Sequence, residues 1–234
     1  MPTSSATRAF ATDPPAYLPV GDAAVVDDTR FFLKASRDGT RATVCRLAAD
    51  SRDIWDALAE LVPRARVTWM TDRTRERDLR ALGCRDQDAP LTSYITALAI
   101  EQPPPVVDGI EVRKVVTAED DALACEVFER GWGVPRPPVG PAAQWLAFVD
   151  GAPVAFGGSL PGPAGVFLTG GVTVPAARGQ GAYRALVRAR WDDAVERGTP
   201  ALVVHAEEAS RRVLVRIGFE RVGDVVELVS GPQC

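Results

Sequence analysis

The strongest constraint on the fold lies in residues 166–197, where an apolar run leads through a short glycine-bearing loop into a long amphipathic segment. Residues 166–174 are rich in β-branched side chains, which favours a buried strand. Residues 180–197 repeat apolar side chains at helical spacing, and Gly198 follows as a typical helix end. This apolar stripe consists of Tyr183, Leu186, Val187, Trp191, Ala194 and Val195. A strand that enters a helix in this way predicts an α/β chain whose helices cover a sheet.

The flanking segments continue the same alternation. Asp150-Gly151 separates two apolar runs, which is a strong β-hairpin signal. Thr117, followed by acidic residues, predicts the start of a helix, because its hydroxyl can cap the first turn. The remaining predictions are strands at residues 110–116, 144–149, 152–156, 201–205 and 221–229, and a short helix at residues 210–216 that ends near Gly218.

The loop between the strand and the long helix carries the chemistry. The first amides of a helix have no partner within the helix and point along its positive end, so they can bind a phosphate. Gly179 and Gly181 would let a bulky ligand approach the backbone, and three arginines add positive charge nearby, namely Arg178, Arg184 and Arg188. The sequence therefore predicts a diphosphate-binding loop, although glycines at a helix start are also ordinary turn residues. The loop has neither the Gly-Lys-Ser/Thr ending of a P-loop nor the third glycine of a dinucleotide fingerprint.

The segment Arg178-Gly-Gln-Gly181-Ala-Tyr183 resembles the acetyl-CoA signature Arg/Gln-x-x-Gly-x-Gly/Ala of the GNAT superfamily of N-acetyltransferases. Tyr183 stands where glycine or alanine is usual. The resemblance continues through residues 203–206 and 214–219 and covers roughly residues 108–230. It implies an α/β (α+β) fold with a mixed, mostly antiparallel twisted sheet flanked by helices.

The resemblance also implies acetyl-CoA as cosubstrate, with no metal. Loop amides would hold the CoA diphosphate, the preceding strand would pair with pantetheine, and a strand amide would polarise the thioester carbonyl. The implied cofactor-binding residues are Val172, Thr173, Val174, Arg178, Gly179, Gln180, Gly181, Ala182, Tyr183, Arg184 and Ser210.

The catalytic candidates follow the next strand. An acceptor amine must lose a proton before it attacks, so a base or a water chain is required, and His205 or Glu207 could serve as the base. The alternative is a structural histidine at a strand end beside solvated glutamates. Ser210 could act near the sulfur or cap a helix. Leu214 stands where many members of the family have a tyrosine acid, so no tyrosine is assigned that role.

Trp132 is the candidate acceptor-binding residue. It lies in the aromatic, proline-containing segment 131–138 after the predicted first helix of this half, a region that walls the acceptor pocket in the superfamily. Simple burial of the indole is the alternative.

The first half of the chain resembles a degenerate copy of the second. One constant shift aligns residues 67–70 with 202–205, Leu79 with Leu214, and residues 82–84 with 217–219. The segment that matches the loop, residues 43–48, has no glycine, so a cofactor could not approach it in the same way. An unrelated α/β extension that caps the substrate cleft is the alternative interpretation.

Composition limits the partners. Apolar residues make up 46% of the chain, and 27 basic against 31 acidic residues give a net charge of −4, which argues against nucleic acid. The uncharged stretch 151–177 contains helix-breaking glycines and prolines, so no membrane association is expected. The four cysteines, Cys45, Cys84, Cys125 and Cys234, form no metal or disulfide pattern. With no secretory signal, a cytoplasmic location of bacterial type is the default.

These observations predict three segments: a flexible arm at residues 1–20, a degenerate GNAT-like or cleft-capping module with a proline-rich linker at 21–105, and a GNAT acetyltransferase domain at 106–234. The predicted reaction is direct attack of a primary amine, of a small molecule or a peptide, on acetyl-CoA. The alternative is a non-catalytic acyl-CoA sensor or scaffold. A monomer or a homodimer is expected.

Overall fold

The computed structural model describes residues 3–17, 24–88, 92–136 and 143–232. The chain forms two compact units. The first unit comprises Ser4–Leu98, His205–Arg212 and Arg221–Cys234, and the second comprises Thr3, Ala99–Val204 and Val213–Glu220. The predicted boundary after residue 105 divides the chain differently. The prolines of the linker mark an interruption of backbone pairing, but local sequence does not indicate which distant strands complete each unit.

The N-terminal part of the chain forms nine helices and strands within its described residues. They are α1 (Ser5–Thr12), β1 (Ala24–Asp27), β2 (Phe32–Ala35), β3 (Arg41–Cys45), α2 (Ser51–Leu61), β4 (Arg66–Thr71), α3 (Glu76–Ala81), β5 (Arg85–Asp86) and β6 (Tyr94–Ile100).

The C-terminal part continues the same alternation. Its elements are β7 (Glu111–Lys114), α4 (Ala118–Trp132), β8 (Ala143–Val149), β9 (Ala152–Gly162), β10 (Gly165–Thr173), α5 (Ala182–Glu196), β11 (Leu202–Ala206), α6 (Glu208–Arg216) and β12 (Glu220–Ser230).

The expected flexible arm at residues 1–20 is corrected for its described part, residues 3–17. Helix α1 forms there, and the Ser4 hydroxyl accepts a hydrogen bond from the Thr7 N–H as N-cap. Phe10 and Ala11 are fully buried. One aromatic anchor and one cap are enough to hold a helix of two turns, although the segment is too short for a clear apolar period.

In the first unit, β1, β2 and β3 form an antiparallel sheet, and β3 pairs with β4 in parallel. Strand β12, from the end of the chain, pairs antiparallel with β4 from Val226↔Thr71 to Ser230↔Val67. The core is built on the stacked rings of Trp55 and Trp69, with Leu58 and Leu228 fully buried. This unit therefore depends on a strand that is remote in sequence.

In the second unit, β7, β8, β9 and β10 are antiparallel, and β10 pairs in parallel with β11. The predicted hairpin is confirmed, since Asp150 (φ 50°) and Gly151 (φ 76°) have the left-handed backbone that a two-residue hairpin turn requires. The predicted helix start is also confirmed, because Thr117 and Asp120 form a capping box at the start of α4.

The two units repeat one plan, as the sequence predicted. The order β8-β9-β10-α5-β11-α6 in the chain matches β1-β2-β3-α2-β4-α3, with the same strand directions. Helix α2 has 11 residues and α5 has 15, so the copy in the first unit is the smaller one. The predicted mixed and mostly antiparallel fold class is thereby confirmed.

Candidate functional site

The loop between β10 and α5 presents unpaired backbone donors. After β10 the chain makes a short 3-10 turn at Pro175–Ala177 and enters α5 through Gly179 (φ 83°) and Gly181 (φ 95°), two positions that favour glycine. Within the described chain, no acceptor faces the backbone N–H groups of residues 179–184, and α5 has no side-chain cap. Six adjacent donors at the positive end of a helix suit an anion.

The corresponding loop of the first unit, residues 46–50, lacks this property. Four backbone N–H groups in and beside it are occupied: that of Arg46 donates to the Asp13 carboxylate, those of Ala48 and Ala49 to the Arg30 carbonyl, and that of Arg52 to the Asp50 carboxylate. Asp50 thus caps α2 with a negative charge of the chain itself. An anionic ligand therefore meets fewer free donors there, and the loop has no glycine that would let it approach the backbone.

Strand β10 has an open edge beside the loop. Its pairing with β11 stops at Leu168↔Val204, although β10 continues to Thr173. The Val174 N–H donates to the Val154 carbonyl of β9, so by alternation the N–H groups of Gly171 and Thr173 point away from β9. These two amides can therefore pair with an extended ligand or with a carbonyl oxygen.

Charge around the loop is positive. Arg178 and Arg184 are exposed, and no carboxylate in the described chain forms an ion pair with either. An Arg184 nitrogen lies 3.5 Å from the position that a Cβ on Gly181 would occupy, so this side chain lies over the helix start. Arg188 is less available, because it pairs with Asp192 at 3.0 Å and donates to the Pro104 carbonyl at 2.9 Å.

The linker supplies two neighbours of the site that sequence reasoning missed. A Cβ on Gly181 would lie 3.0 Å from Val107 Cγ1, and the buried Pro104 offers its carbonyl to Arg188. The sequence signal was the proline run itself, which predicts a stiff segment that can pack in one place. A glycine is thus needed at position 181 for space as well as for backbone conformation.

Comparison with solved structures places this architecture among known folds. A GCN5-related N-acetyltransferase from Kribbella flavida is similar at a TM-score of 0.72 and 17% identity, over 97% of this chain and 96% of that one. A tandem GNAT protein from the clavulanic acid biosynthesis pathway is similar at a TM-score of 0.57 and 14% identity, over 98% and 88%.

A further GCN5-related N-acetyltransferase, from Sphaerobacter thermophilus, is similar at a TM-score of 0.61 and 17% identity, over 88% of this chain and 78% of that one. The chain has the GNAT fold. No family model and no curated protein matches its sequence. The similarity to a tandem GNAT protein agrees with the internal repeat of this chain. The loop after β10 in the second unit is the segment whose sequence resembles the CoA signature.

The predicted catalytic residues lie in the first unit, whereas the loop lies in the second. His205 is 8% exposed at its side chain; its Nε2 lies 2.9 Å from the Ala11 carbonyl, and its Nδ1 lies 3.7 Å from the Glu227 carboxylate. Both ring nitrogens therefore face acceptors of the chain. The Glu207 side chain has no hydrogen bond or ion pair within the described residues.

Ser210 is not a helix N-cap. Helix α6 begins at Glu208, two residues before the predicted start, and the Ser210 hydroxyl donates to the Glu207 carbonyl at 3.1 Å. This correction has a local cause, since Glu208 forms ion pairs with Arg211 and Arg212 along the first turns, which favour an earlier helix start.

Trp132 lies in the last turn of α4 and not in the loop after it. Its ring stacks on Phe128 at 6.2 Å and packs against the core of the second unit, while its indole N–H has no partner in the described chain. Residues 137 and 138 of the predicted acceptor segment lie outside the described residues. Core packing is the role that these contacts support.

Cysteine chemistry is disfavoured at two of the candidate thiols. Burial raises the pKa of Cys45 to about 12 and that of Cys84 to about 12, so neither is a ready thiolate. Cys125 is exposed, and Cys234 lies outside the described residues. Within the described chain no group of His, Cys, Asp and Glu side chains could hold a metal ion, and no helix is long and apolar enough to cross a membrane.

Proposed function

We propose that this protein is an acetyl-CoA-dependent N-acyltransferase that moves an acetyl group to a primary amine by direct attack in a ternary complex. The observation that carries the proposal is the contrast between two corresponding segments: the amides of residues 179–184 have no acceptor in the described chain, whereas four amides in and beside the first-unit loop are bonded to the chain. A site with unpaired donors, positive side chains and an open strand edge fits a diphosphate joined to an extended amide-containing arm.

In this proposal the CoA thioester supplies an activated acetyl group. The backbone amides of the loop and the side chains of Arg178 and Arg184 bind the diphosphate, and Thr173 pairs with the pantetheine arm through its backbone. The Gly171 or Thr173 N–H donates to the thioester oxygen, where negative charge develops. Site residues of this proposal also include Val172, Val174 and Ala182, whose side chains are buried against the core and fix the strand and helix.

The transfer requires one bond change and one proton movement. The nitrogen of a neutral amine forms a bond to the acetyl carbon, the carbon–sulfur bond breaks, and CoA leaves with the electron pair as a thiolate. The amine proton passes to a base. His205 and Glu207 lie in the first unit and are not assigned this role, so a water molecule is the base of this proposal. Leu214 is fully buried and provides no acid, so the thiolate is protonated by solvent.

A non-catalytic acyl-CoA sensor is the second candidate. Two observations favour it: Leu214 occupies the place of a tyrosine acid, and the phenol of Tyr183 is buried beside Arg190. Both candidates use the same loop, so they differ only in turnover.

A charge placed in the loop tests the binding step. Gly179→Asp adds a carboxylate at an exposed position where a Cβ meets no atom within 4 Å; its positive φ costs about 1 to 2 kcal/mol, but no neighbour is displaced, so the fold is expected to survive. Electrostatic repulsion should weaken CoA binding at least 10-fold, measured by isothermal titration calorimetry. Gly39→Asp is the matched control, since Gly39 in the β2–β3 turn also has positive φ and free space.

The control should keep the dissociation constant within about twofold of the wild type. Equal binding by the wild type and Gly179→Asp contradicts the loop assignment. Release of free thiol with a panel of small polyamines, aminoglycosides and peptide amines then separates the two candidates, because a sensor binds acyl-CoA without releasing thiol.

A further inference from the structure

A buried arginine without a carboxylate lies inside the second unit. Arg190, on α5, is 1% exposed. Its Nε donates to the Leu186 carbonyl at 3.0 Å and its Nη1 to the Gly158 carbonyl at 3.2 Å, while Nη2 has no hydrogen-bond partner among the described residues. A buried charge in this condition is costly, so a role beyond packing must be considered.

The guanidinium lies against the backbone opposite an irregularity in β10. The β9–β10 register shifts between Thr169 and Val172, so Gly170 and Gly171 together oppose one residue, Gly157. A Cβ on Gly157 would lie 2.8 Å from Arg190 Nη1. Arg190 therefore packs directly on the strand segment that faces the bulge.

Tyr183, also on α5, packs on the bulge at Gly171. A Cβ on Gly171 would lie 2.9 Å from Tyr183 Cε2 and 3.4 Å from the phenol oxygen, and the phenol lies beside the Arg190 guanidinium. The glycines at 157 and 171 make the space that these two large side chains fill. Burial raises the pKa of Tyr183 and lowers that of Arg190. The interaction between the two groups acts in the opposite direction on each pKa. The phenol thus remains neutral, and an arginine keeps its charge.

We propose that Arg190 is a positioning residue that fixes the β10 bulge together with Tyr183 and places a permanent positive charge behind the amides of Gly171 and Thr173. The bulge sets the direction in which these open-edge amides point. Neighbouring strands lie about 5 Å apart, so the charge on the Gly157 side is within one strand of those amides. In a buried environment such a charge acts strongly at this range and favours negative charge on an oxygen that accepts from them.

This inference rests on the proposed acetyl transfer. Experiment can distinguish it from a purely structural role of Arg190. Replacing a buried charge by an apolar side chain of similar volume is often neutral or stabilising. Arg190→Met should therefore keep or raise the thermal midpoint and leave CoA affinity within about threefold, while the environment of the thioester changes. If Arg190 were only structural, Arg190→Met would lower the thermal midpoint and leave the environment of the thioester unchanged.

Infrared difference spectroscopy with acetyl-CoA labelled with carbon-13 at the carbonyl gives the required readout without an acceptor amine. In the wild type the bound carbonyl stretch should lie below its value in water. It should move upward in Arg190→Met and in Arg190→Gln, and Arg190→Lys, which keeps a charge, should lie between. With a competent amine, kcat should fall at least 10-fold in Arg190→Met with little change in KM.

Arg197→Met is the control at the C-terminal end of α5, since Arg197 pairs with Asp193 and not with the strands of the bulge. It should lower stability without moving the carbonyl band. An unchanged band in both neutral variants at position 190, with acetyl-CoA bound, overturns the role of Arg190 alone. If Arg190→Met does not fold, Arg190→Gln against Arg190→Lys decides the question. Failure of the wild type to bind acetyl-CoA at millimolar concentration overturns the proposed function and this inference together.

Discussion

Two buried charges on one helix illustrate how local partners determine what a residue does. Asp193 of α5 is 7% exposed but accepts from Lys114 Nζ at 3.1 Å and from Arg197 Nε at 2.7 Å. Arg190, one turn earlier, donates to two carbonyl oxygens, lies beside the Tyr183 phenol, and has no carboxylate partner in the described chain. The satisfied carboxylate is expected to stabilise the fold, whereas the arginine is not.

Replacing Asp193 with asparagine should lower the free energy of unfolding by about 1 to 2 kcal/mol at pH 7, a modest value because both cations are partly exposed. Burial acts to raise the pKa of Asp193, but hydrogen bonds from Arg197 and Lys114 outweigh it and leave that pKa below 3.8. A lowered folded-state pKa means that the stabilisation is complete above about pH 5 and is lost as the pH falls through and below 4.

Urea unfolding at pH 7 and at pH 3 measures both parts of this prediction. The difference between wild type and Asp193→Asn should shrink at the lower pH. Asp192→Asn is the matched control, because Asp192 is 52% exposed at its side chain and pairs with Arg188 at i,i+4, which contributes about 0.5 kcal/mol or less. A difference for Asp193→Asn that is equal at both pH values would contradict the argument.

At this scale the sequence predicted types of residue better than their partners. The helical stripe of α5 was evident from Tyr183, Leu186 and Trp191, and Arg190 falls on the same face, which in retrospect is the signal of a buried charge. The contact of His205 with Ala11 joins residues 194 positions apart in the chain. No local pattern carries that information, so a base role and a structural role could not be separated from sequence.

At the scale of elements, the ends of α3 and α6 repeat one motif in detail. After α3, the Gly83 N–H bonds to the Arg80 carbonyl and the Cys84 N–H to the Leu79 carbonyl; after α6, the corresponding bonds join Gly218 to Val215 and Phe219 to Leu214. Both glycines have positive φ, 98° and 108°. This is a Schellman-type ending, and the match explains why a constant shift of the sequence aligned these segments.

Substitution of either glycine by alanine should destabilise the protein, because a left-handed backbone costs a residue with a Cβ about 1 to 2 kcal/mol. Gly218→Ala should cost more than Gly83→Ala: its Cβ would lie 3.3 Å from Ile100 Cδ1, whereas nothing lies within 4 Å at Gly83. Thermal unfolding of the two variants checks the order. Gly231→Ala is the control, since Gly231 has neither positive φ nor a close neighbour. A larger loss in Gly83→Ala would contradict this account.

Helices and turns were predicted most reliably where a residue type favours one specific local conformation. Asp150-Gly151 specified a hairpin and Thr117 a helix start, because the turn conformation and the cap depend on neighbours in sequence. The bulge at Gly170 and Gly171 was not predicted, and the side chain that packs on it, Tyr183, comes from a different element, the helix α5. Such a feature depends on a contact between elements and not on local propensity.

At the scale of the whole molecule, the chain passes between its two compact units at residues 3–4, 98–99, 204–205, 212–213 and 220–221. The first unit therefore remains incomplete until its last strand is present. Strand β12 supplies Val226 and Leu228, both fully buried, to the core of that unit, and Ser230 accepts the indole N–H of Trp69 at 3.1 Å.

Removal of residues 221–234 should therefore unfold the first unit, although most of its residues lie before position 99. Without β12, the edge of β4 loses its antiparallel partner over five residue pairs, and apolar core residues become exposed. Near-ultraviolet circular dichroism should lose the signal of the stacked Trp55 and Trp69, and hydrogen exchange should lose protection across β3 and β4. Removal of residues 231–234 alone, which follow β12, should preserve both.

The same connectivity predicts how the intact protein unfolds. Because neither unit is a continuous stretch of chain, opening one unit displaces segments that the other needs, so calorimetry should record one transition whose calorimetric and van't Hoff enthalpies agree. Two separated transitions would show that the units fold independently. In that event the loss of β12 should affect only one of them, and it should be the transition in which the Trp55–Trp69 signal disappears.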